Sequence, residues 1–208
     1  MTTRRRVLSA AGAAALLPLA GRPALAAAAG NVVGIAGACT AAGQGQTRAL
    51  KLGEAVDASD TVTVPADGKL KLRMSDGSVL SLGSGSSLTI ATYQTGADGS
   101  RQNAQLSLAQ GVMRAVVAPV SHQAQFEVST AVGAAVVRST DWFVIIQSGA
   151  IQVGVLSGSV DLTSAATRRS VEIPARWGAR LEAGRDPVLA RPWTQAEFDA
   201  VINRTNVP

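Results

Sequence analysis

Short apolar segments, separated by glycine turns, fill the chain from about residue 31 to residue 183. In residues 69–74 basic and apolar side chains alternate, which is the period-2 pattern of a half-exposed strand. Residues 134–137 and 142–146 are almost entirely apolar, as in central strands that are covered on both faces. About a dozen such segments recur at the spacing of all-β domains. The pattern therefore predicts an all-β fold, either a compact sandwich or a solenoid-like stack of short strands.

One helix is predicted, at the C-terminal end of the chain. Thr194 followed by Glu197 forms a capping box, the usual start of a helix. Phe198, Val201 and Ile202 then make one apolar stripe at helical spacing. We expect this stripe to pack on the β domain, and docking of a partner is the alternative.

The N-terminal end of the chain has the composition of an export signal. Arg4 and Arg5 precede a weakly apolar, alanine-rich run over residues 10–20, and the small residues Ala24 and Ala26 mark a cleavage site. The arginine pair resembles the twin-arginine signal, which exports folded proteins. The alternatives are a disordered basic tail and a retained anchor, but the apolar run is too short to span a bilayer. We therefore expect a periplasmic or otherwise extracytoplasmic protein.

These patterns divide the chain into a twin-arginine-type signal peptide at 1–26, an all-β domain at 27–190 and a C-terminal helix at 191–208. The whole chain has 19 basic and 14 acidic residues. Removal of the signal takes away four arginines and no acidic residue, which leaves 15 basic against 14 acidic residues. With a nearly neutral charge and few aromatic residues, we expect no nucleic-acid partner. We also expect no transmembrane anchor in the mature chain.

Residues with catalytic or metal-binding chemistry are few. His122 is the only histidine and lies in a polar turn, where a solvent-facing role is expected. Cys39 is the only cysteine, and we expect it to be a small buried strand residue. No Gly-x-Ser-x-Gly elbow and no Cys/His cluster occurs in the sequence. We therefore expect no enzymatic activity, no cofactor and no metal site.

Aspartates and glycines concentrate at the predicted turns. Asp60, Asp67, Asp76 and Asp98 are expected to cap their own backbone, and calcium ligation is the alternative that lacks an Asp-x-Asp-x-Asp loop. The glycine- and serine-rich segment 83–87 is expected to be a plain turn, and an anion-binding nest is the alternative.

An ordered set of segments spans residues 33–162, and its most specific piece is the segment 136–142 with its Arg-x-Thr-Asp-aromatic pattern. The other pieces are residues 48–56, 59–62, 72–80, 106–111, 126–130, 151–155 and 157–160. Taken in order, these segments resemble the domain of FecR-type proteins, which are the periplasmic parts of iron-responsive regulators. The resemblance implies a protein that offers binding surfaces outside the cytoplasmic membrane.

The chain departs from the family pattern in two ways. Ser139 stands where the family usually has glycine, so Ser139→Gly would be neutral or stabilising if this position needs a positive φ. We also expect the chain to lack the cytoplasmic sigma-factor-binding region and the membrane-spanning helix of the family's regulators. Any signalling would then pass through a partner that crosses the membrane.

The family motifs supply the candidate site residues, which we expect to be structural: Asp76, Gly77, Arg138, Thr140, Asp141 and Trp142. Arg138, Thr140 and Asp141 form the most prominent polar group in the apolar middle of the chain. We expect Arg138 and Asp141 to bind turn backbone or each other where strands meet, since buried charges persist mainly as pairs. A binding site is the alternative.

The leading hypothesis for function is an exported, non-enzymatic FecR-domain module that contacts another envelope protein through sheet edges or loops. The alternative is a periplasmic module that binds carbohydrate or cell wall, with Trp177 and Trp193 as a stacking platform. We expect these tryptophans instead to fill the core and to hold the C-terminal helix in place. A cofactor-carrying enzyme is a third hypothesis, favoured only by the twin-arginine route.

Overall fold

The computed structural model describes residues 28–120 and 124–207. They form 17 strands and one helix. The strands up to the middle of the chain are β1 (Ala28–Ala36), β2 (Thr40–Gly43), β3 (Gln46–Ala49), β4 (Ala55–Asp57), β5 (Thr61–Thr63), β6 (Lys69–Met74), β7 (Val79–Leu82), β8 (Ser87–Thr95) and β9 (Arg101–Val116). The remaining elements are β10 (Gln125–Ser129), β11 (Gly133–Val137), β12 (Asp141–Gln147), β13 (Ala150–Ser157), β14 (Ser159–Ser164), β15 (Ser170–Pro174), β16 (Trp177–Glu182), β17 (Val188–Pro192) and α1 (Gln195–Thr205). The signal residues Arg4, Arg5, Ala24 and Ala26 lie outside the described residues, and so does His122.

The strands form two sheets, and β9 belongs to both. Sheet A has the order β4–β1–β6–β7–β9–β12–β13–β16–β17. Sheet B has the order β3–β2–β5–β8–β9–β10–β11–β14–β15. Neighbouring strands are antiparallel except β9 and β10, which run parallel. The predicted all-β class is confirmed, with 17 strands in place of about a dozen.

Strand β9 changes sheets at Gly111. The part before Gly111 pairs with β8 and β10 in sheet B, and the part from Gly111 onward pairs with β12 in sheet A. Gly111 has a φ of 93°, and a Cβ there would lie 2.3 Å from the Ser86 hydroxyl. Ser86 is fully buried, and its hydroxyl bonds both the carbonyl and the amide of Val112 at 3.0 Å. Ser86 thus occupies the space that a side chain at the switch point would need.

In the second half of the chain, successive hairpins belong alternately to sheet B and to sheet A. The hairpin β10–β11 joins sheet B, β12–β13 joins sheet A, β14–β15 joins sheet B and β16–β17 joins sheet A. Apolar residues of both sheets meet in one core cluster, for example Leu72 of sheet A and Leu88 of sheet B. The two sheets form a sandwich, and the chain path is solenoid-like because it alternates between the sheets.

The centre of sheet A is buried on both faces, as the apolar segment 142–146 predicts. Trp142 and Val144 belong to the core between the sheets, whereas Phe143 and Ile145 point to the other side. There they form a second cluster with Phe198 of α1 and its neighbours. The helix therefore covers part of the outer face of sheet A.

The ends of α1 are both fixed. At the N-terminus the predicted capping box is present: the Thr194 side chain accepts from the Glu197 amide, and the Thr194 amide donates to the Glu197 carboxylate at 2.8 Å. At the C-terminus Lys69 Nζ donates to the carbonyls of Asn203 (2.8 Å) and Asn206 (3.0 Å). With 11 residues, α1, the one helix of the described residues, is too short to cross a bilayer.

Cys39 is buried, as expected, but it is not part of a strand. It lies just before β2, where its thiol donates weakly to the carbonyl of Ala36 at 3.6 Å. Burial, and then the nearby charge of Asp67, raise the pKa of the Cys39 thiol. A thiol in this setting reacts slowly, which fits a packing role.

Candidate functional site

The segment from Arg138 to Trp142 carries the chain from sheet B to sheet A. Its last residue, Trp142, is fully buried in the core. Thr140 is also buried, and its hydroxyl donates to the carbonyl of Ser159 at 3.1 Å. The Thr140 carbonyl accepts from the amide of Val117 at 2.9 Å. Thr140 therefore ties the crossing segment to β14 on one side and to the end of β9 on the other.

Asp141 lies on the outer face of sheet A and is held by Arg114 of β9. Arg114 Nε lies 2.9 Å from Asp141 Oδ1, and Nη2 lies 2.7 Å from Oδ2, a bidentate geometry. The two side chains are 25 % and 21 % exposed. The hydrogen bond to Asp141 raises the pKa of Arg114 more than partial burial lowers it. Arg114 is thus the partner of Asp141, so of the two arrangements that the sequence suggested, turn backbone or each other, the pairing of Arg138 with Asp141 does not occur.

Arg138 is exposed and lines a shallow groove of about 560 Å³. Across this groove Asp161 of β14 and Glu172 of β15 are cross-strand neighbours. Within the described part of the chain Arg138 forms no hydrogen bond and no ion pair, so it is available for contact with another molecule. The groove combines a cation with two carboxylates and is open to solvent, which suits a polar surface contact.

The backbone beside this groove revises the expectation for Ser139. The φ of Ser139 is not positive, so this position does not need glycine. The positive φ, 83°, is at Gly158, where a Cβ would lie 2.7 Å from the Ser139 carbonyl oxygen. Because glycine at 139 would only add freedom to the unfolded chain, Ser139→Gly is now expected to destabilise slightly.

Asp76 belongs to a buried polar network that the sequence did not reveal. Its carboxylate forms an ion pair with Arg101, and the two side chains are 1 % and 0 % exposed. The Tyr93 hydroxyl donates to Asp76 Oδ1 at 2.6 Å, and the Ser78 amide donates to the same oxygen at 2.9 Å. Gly77 completes the β6–β7 turn with a φ of 85°. The network joins this turn to β8 and to the start of β9.

The electrostatics of the network are those of a structural site. Burial and the adjacent Asp76 carboxylate raise the pKa of Tyr93, so the phenol stays protonated and keeps donating. The Arg101 guanidinium lies 5.3 Å from the centre of the Phe126 ring, over its face. Asp76 and Arg101 lie 25 residues apart in the sequence, and only the fold brings them together.

The other turn aspartates mostly bond nearby groups. Asp60 is buried and accepts from Arg48 Nη2 at 2.6 Å and from the Asp57 amide at 2.9 Å. Burial would raise the pKa of Asp60, but these bonds and the charge of Arg48 outweigh it and lower the pKa. Asp98 accepts from the amide and hydroxyl of Ser100, as a turn cap does. Over residues 28–120 and 124–207 no three metal-ligating side chains cluster together.

The segment 83–87 is a turn in which both glycine amides are already used. The Gly83 amide donates to the Val112 carbonyl at 3.0 Å, and the Gly85 amide donates to the Pro65 carbonyl at 3.1 Å. The alternative of an anion-binding nest would need these donors free. The plain-turn interpretation therefore fits the structure.

The two tryptophans proposed as a sugar platform are engaged in packing. The Trp193 ring lies 5.1 Å from that of Phe143 and 5.7 Å from that of Phe198. Trp177 is half-buried and packs against the core between the sheets. Trp193 thus helps to hold α1 on sheet A, as expected from the sequence.

Comparison with known proteins gives the family. The FecR protein family matches residues 60–161, a range that runs from β5 to the start of β14 and includes both parts of β9. The chain therefore contains a FecR-family domain at residues 60–161, which forms the middle of both sheets. FecR domains are regulatory domains on the periplasmic side in bacteria. No curated protein matches the chain.

Solved structures confirm that the fold occurs elsewhere. Two crystal structures of a candidate anti-sigma factor from Parabacteroides distasonis ATCC 8503, at 1.65 and 2.50 Å resolution, are similar to this chain. Both have a TM-score of 0.55 and 12 % sequence identity, over 66 % of this chain and 62 % of that chain. This chain thus matches less than two thirds of that protein's length. At such low identity the likeness establishes a shared fold.

Proposed function

We propose that the chain is a non-enzymatic interaction module of the bacterial cell envelope, which binds another envelope protein. The observation that carries this proposal is the FecR match over residues 60–161, which takes in the strands at the centre of both sheets. The family supports a signalling or regulatory module. The fold shared with a candidate anti-sigma factor agrees with such a role. Signalling to the cytoplasm would pass through a partner that crosses the membrane.

The sheet edges, which the sequence suggested as contact surfaces, are protected against strand addition. Sheet A ends in β4, with three residues, and in β17, which has a register shift opposite Gly178 and ends in Pro192. Sheet B ends in β3, with four residues, and in β15, which ends in Pro174. Short strands, bulges and prolines are the usual means of blocking edge pairing. We therefore favour a contact through a sheet face or a groove.

A carbohydrate-binding function receives no support from the tryptophans. A stacking platform needs ring faces that are free for a sugar, whereas the Trp193 ring packs against Phe143 of sheet A and Phe198 of α1. We therefore propose protein binding as the function.

Two measurements test the proposal. The first is fractionation of cells that express the tagged chain, with sequencing of the mature N-terminus. We expect a periplasmic product that starts at Ala27 and an Arg4→Lys/Arg5→Lys variant that stays unprocessed, because that variant keeps the charge but removes the twin arginines. Unprocessed wild-type protein in the cytosol would contradict the proposed location.

The second measurement is crosslinking in intact cells, followed by purification of the tagged chain and identification of what is attached. We expect one envelope protein to be recovered in preference to all others. Recovery of no protein, or turnover of a compound that depends on His122, would contradict the proposed function.

A further inference from the structure

Part of the outer face of sheet A is left uncovered by α1. The helix packs on Val112, Phe143 and Ile145, in the middle of the sheet. Beyond the C-terminal end of the helix, strands β6, β7 and the end of β9 carry half-buried or exposed side chains. We call this region the basic–aliphatic face and define it by Lys71, Arg73, Val79, Arg114 and Val116.

Strand register places these five side chains in two adjacent rows. Arg73 pairs with Val79, which pairs with Val116, so one row holds a cation and two valines. Lys71 pairs with Ser81, which pairs with Arg114, so the next row holds two cations around a serine. Directly paired residues on one sheet face have Cβ atoms about 5 Å apart. Cations and valines therefore lie within reach of a single bound peptide segment.

The apolar part of the face is unusually open. Val116 is 43 % exposed and is one of the few large hydrophobic residues on the described surface with such exposure. Val33, 41 % exposed, lies at the bulge of β1, where the next residue, Gly34, pairs with Lys71. Exposed aliphatic groups that are gathered beside charges are typical of interaction surfaces.

The charges of the face are not balanced from within the domain. Lys71 and Arg73 form no ion pair with any residue that the structure describes. Arg114 is fixed by Asp141 through Nε and Nη2, which leaves Nη1 to bind another group. The face therefore has three cations, and among them only Arg114 is paired with a carboxylate of the described residues, that of Asp141. The unbalanced charge calls for an acidic ligand.

The face also contains a recess with a fixed wall. A groove of about 210 Å³ is lined by four residues of this face, by Ser81, and by Thr205 and Asn206 at the end of α1; Arg73 lies outside it. Thr205 is buried and its hydroxyl donates to the Val201 carbonyl at 3.1 Å, while Lys69 binds the Asn206 carbonyl. The wall is thus held in place before any ligand arrives.

We propose that the basic–aliphatic face binds an acidic segment of a protein partner that carries an aliphatic side chain. The aliphatic side chain enters the groove and contacts Val79 and Val116, while carboxylates of the segment pair with Lys71 and Arg73. The recess favours a protein segment over the surface of an anionic bilayer, since a bilayer would contact protruding groups and leave a groove empty. This inference rests on the proposed function, and it adds the surface and the chemistry of the partner.

The test places a photoreactive amino acid at Val116, in the face, and in a second protein at Gln105, which is exposed in the sheet B part of the same strand. Both are crosslinked in cells, and the attached peptide is identified by mass spectrometry. The charge-reversal variant Lys71→Glu/Arg73→Glu is compared with Arg168→Glu/Arg169→Glu, which reverses two exposed arginines between β14 and β15. Thermal midpoints of both variants are measured to verify that they are folded.

We expect crosslinks from position 116 to a partner peptide with several acidic residues around an aliphatic one. The crosslink yield should fall at least about tenfold in Lys71→Glu/Arg73→Glu and stay unchanged in Arg168→Glu/Arg169→Glu. A protein crosslinked from position 105 and not from 116 would overturn the assigned face and leave the proposed function standing. Crosslinks from 116 to lipid alone would overturn the protein segment in favour of a membrane, and no protein crosslink from either position would count against both.

Discussion

Two halves of the outer face of sheet A differ in solvent exposure. Val112 and Val116 lie on the same face of β9, four residues apart, yet Val112 is 1 % exposed and Val116 is 43 % exposed. The first is covered by α1 together with Phe143 and Phe198, and the second belongs to the basic–aliphatic face. A single strand thus contributes to stability at one position and offers a binding surface at the other. The difference arises from where the C-terminal helix ends.

The largest expected difference between the two halves is in stability. Phe198→Ala should lower the free energy of unfolding by about 3–5 kcal/mol, because it removes a buried ring and leaves a cavity under the helix. Val116→Ala, in the uncovered half, should change it by less than about 0.5 kcal/mol. Denaturant unfolding of both variants beside the wild type measures the difference. Equal effects would mean that α1 does not stabilise the sheet.

A smaller effect is expected at the start of the helix. Thr194→Ala removes the side chain that accepts from the Glu197 amide and should cost about 1 kcal/mol. The matched variant Thr194→Ser keeps the hydroxyl and should retain most of the stability. Denaturant unfolding measures both, and equal losses in the two variants would show that the cap contributes nothing.

A pH dependence is expected at the same cap. The hydrogen bond from Arg191, followed by those from Thr194, lowers the pKa of Glu197 to about 2 from its usual 4.5. Since the folded-state pKa is the lower one, the stabilisation by Glu197 is complete above pH 4.5 and is lost as the pH falls towards 2. The stability difference between wild type and Glu197→Gln should therefore shrink over this range. A difference that stays constant from pH 7 to about pH 2 would contradict the assigned pairing.

The smallest effect is expected where the chain enters the uncovered half of sheet A. Ser139→Gly should destabilise by about 0.5 kcal/mol, because φ at this position is not positive and glycine only gains freedom in the unfolded state. Gly158→Ala, at a φ of 83° beside the Ser139 carbonyl, should cost clearly more. Thermal melts compare the two variants. A stabilising Ser139→Gly would instead support the family's glycine turn.

The features that the sequence predicted are those set by local pattern. The apolar segment 142–146 indicated a strand covered on both faces, and the structure covers one face with sheet B and the other with α1. The capping box at Thr194 and the apolar stripe with Phe198 located the helix, because both depend only on residues three or four apart. Family resemblance over residues 33–162 agrees with the family match at 60–161.

The features that were missed depend on pairing in space. Strands β2 to β5 have three or four residues each, too few to show a period-2 pattern. The sequence pattern also does not show that β9 continues through Gly111 and changes sheets there. Arg101 and Arg114, which bind Asp76 and Asp141, lie 25 and 27 residues from their partners. Such pairs follow from strand register, which the sequence pattern alone does not supply.

The most direct test of the account is the Kd of the purified chain for the purified partner that crosslinking identifies. In Lys71→Glu/Arg73→Glu the account predicts a Kd at least about tenfold higher than in the wild type, with an unchanged thermal midpoint. Arg168→Glu/Arg169→Glu should bind as the wild type does. If the charge reversal at Lys71 and Arg73 leaves the Kd unchanged, the uncovered half of sheet A is not the surface through which this protein acts.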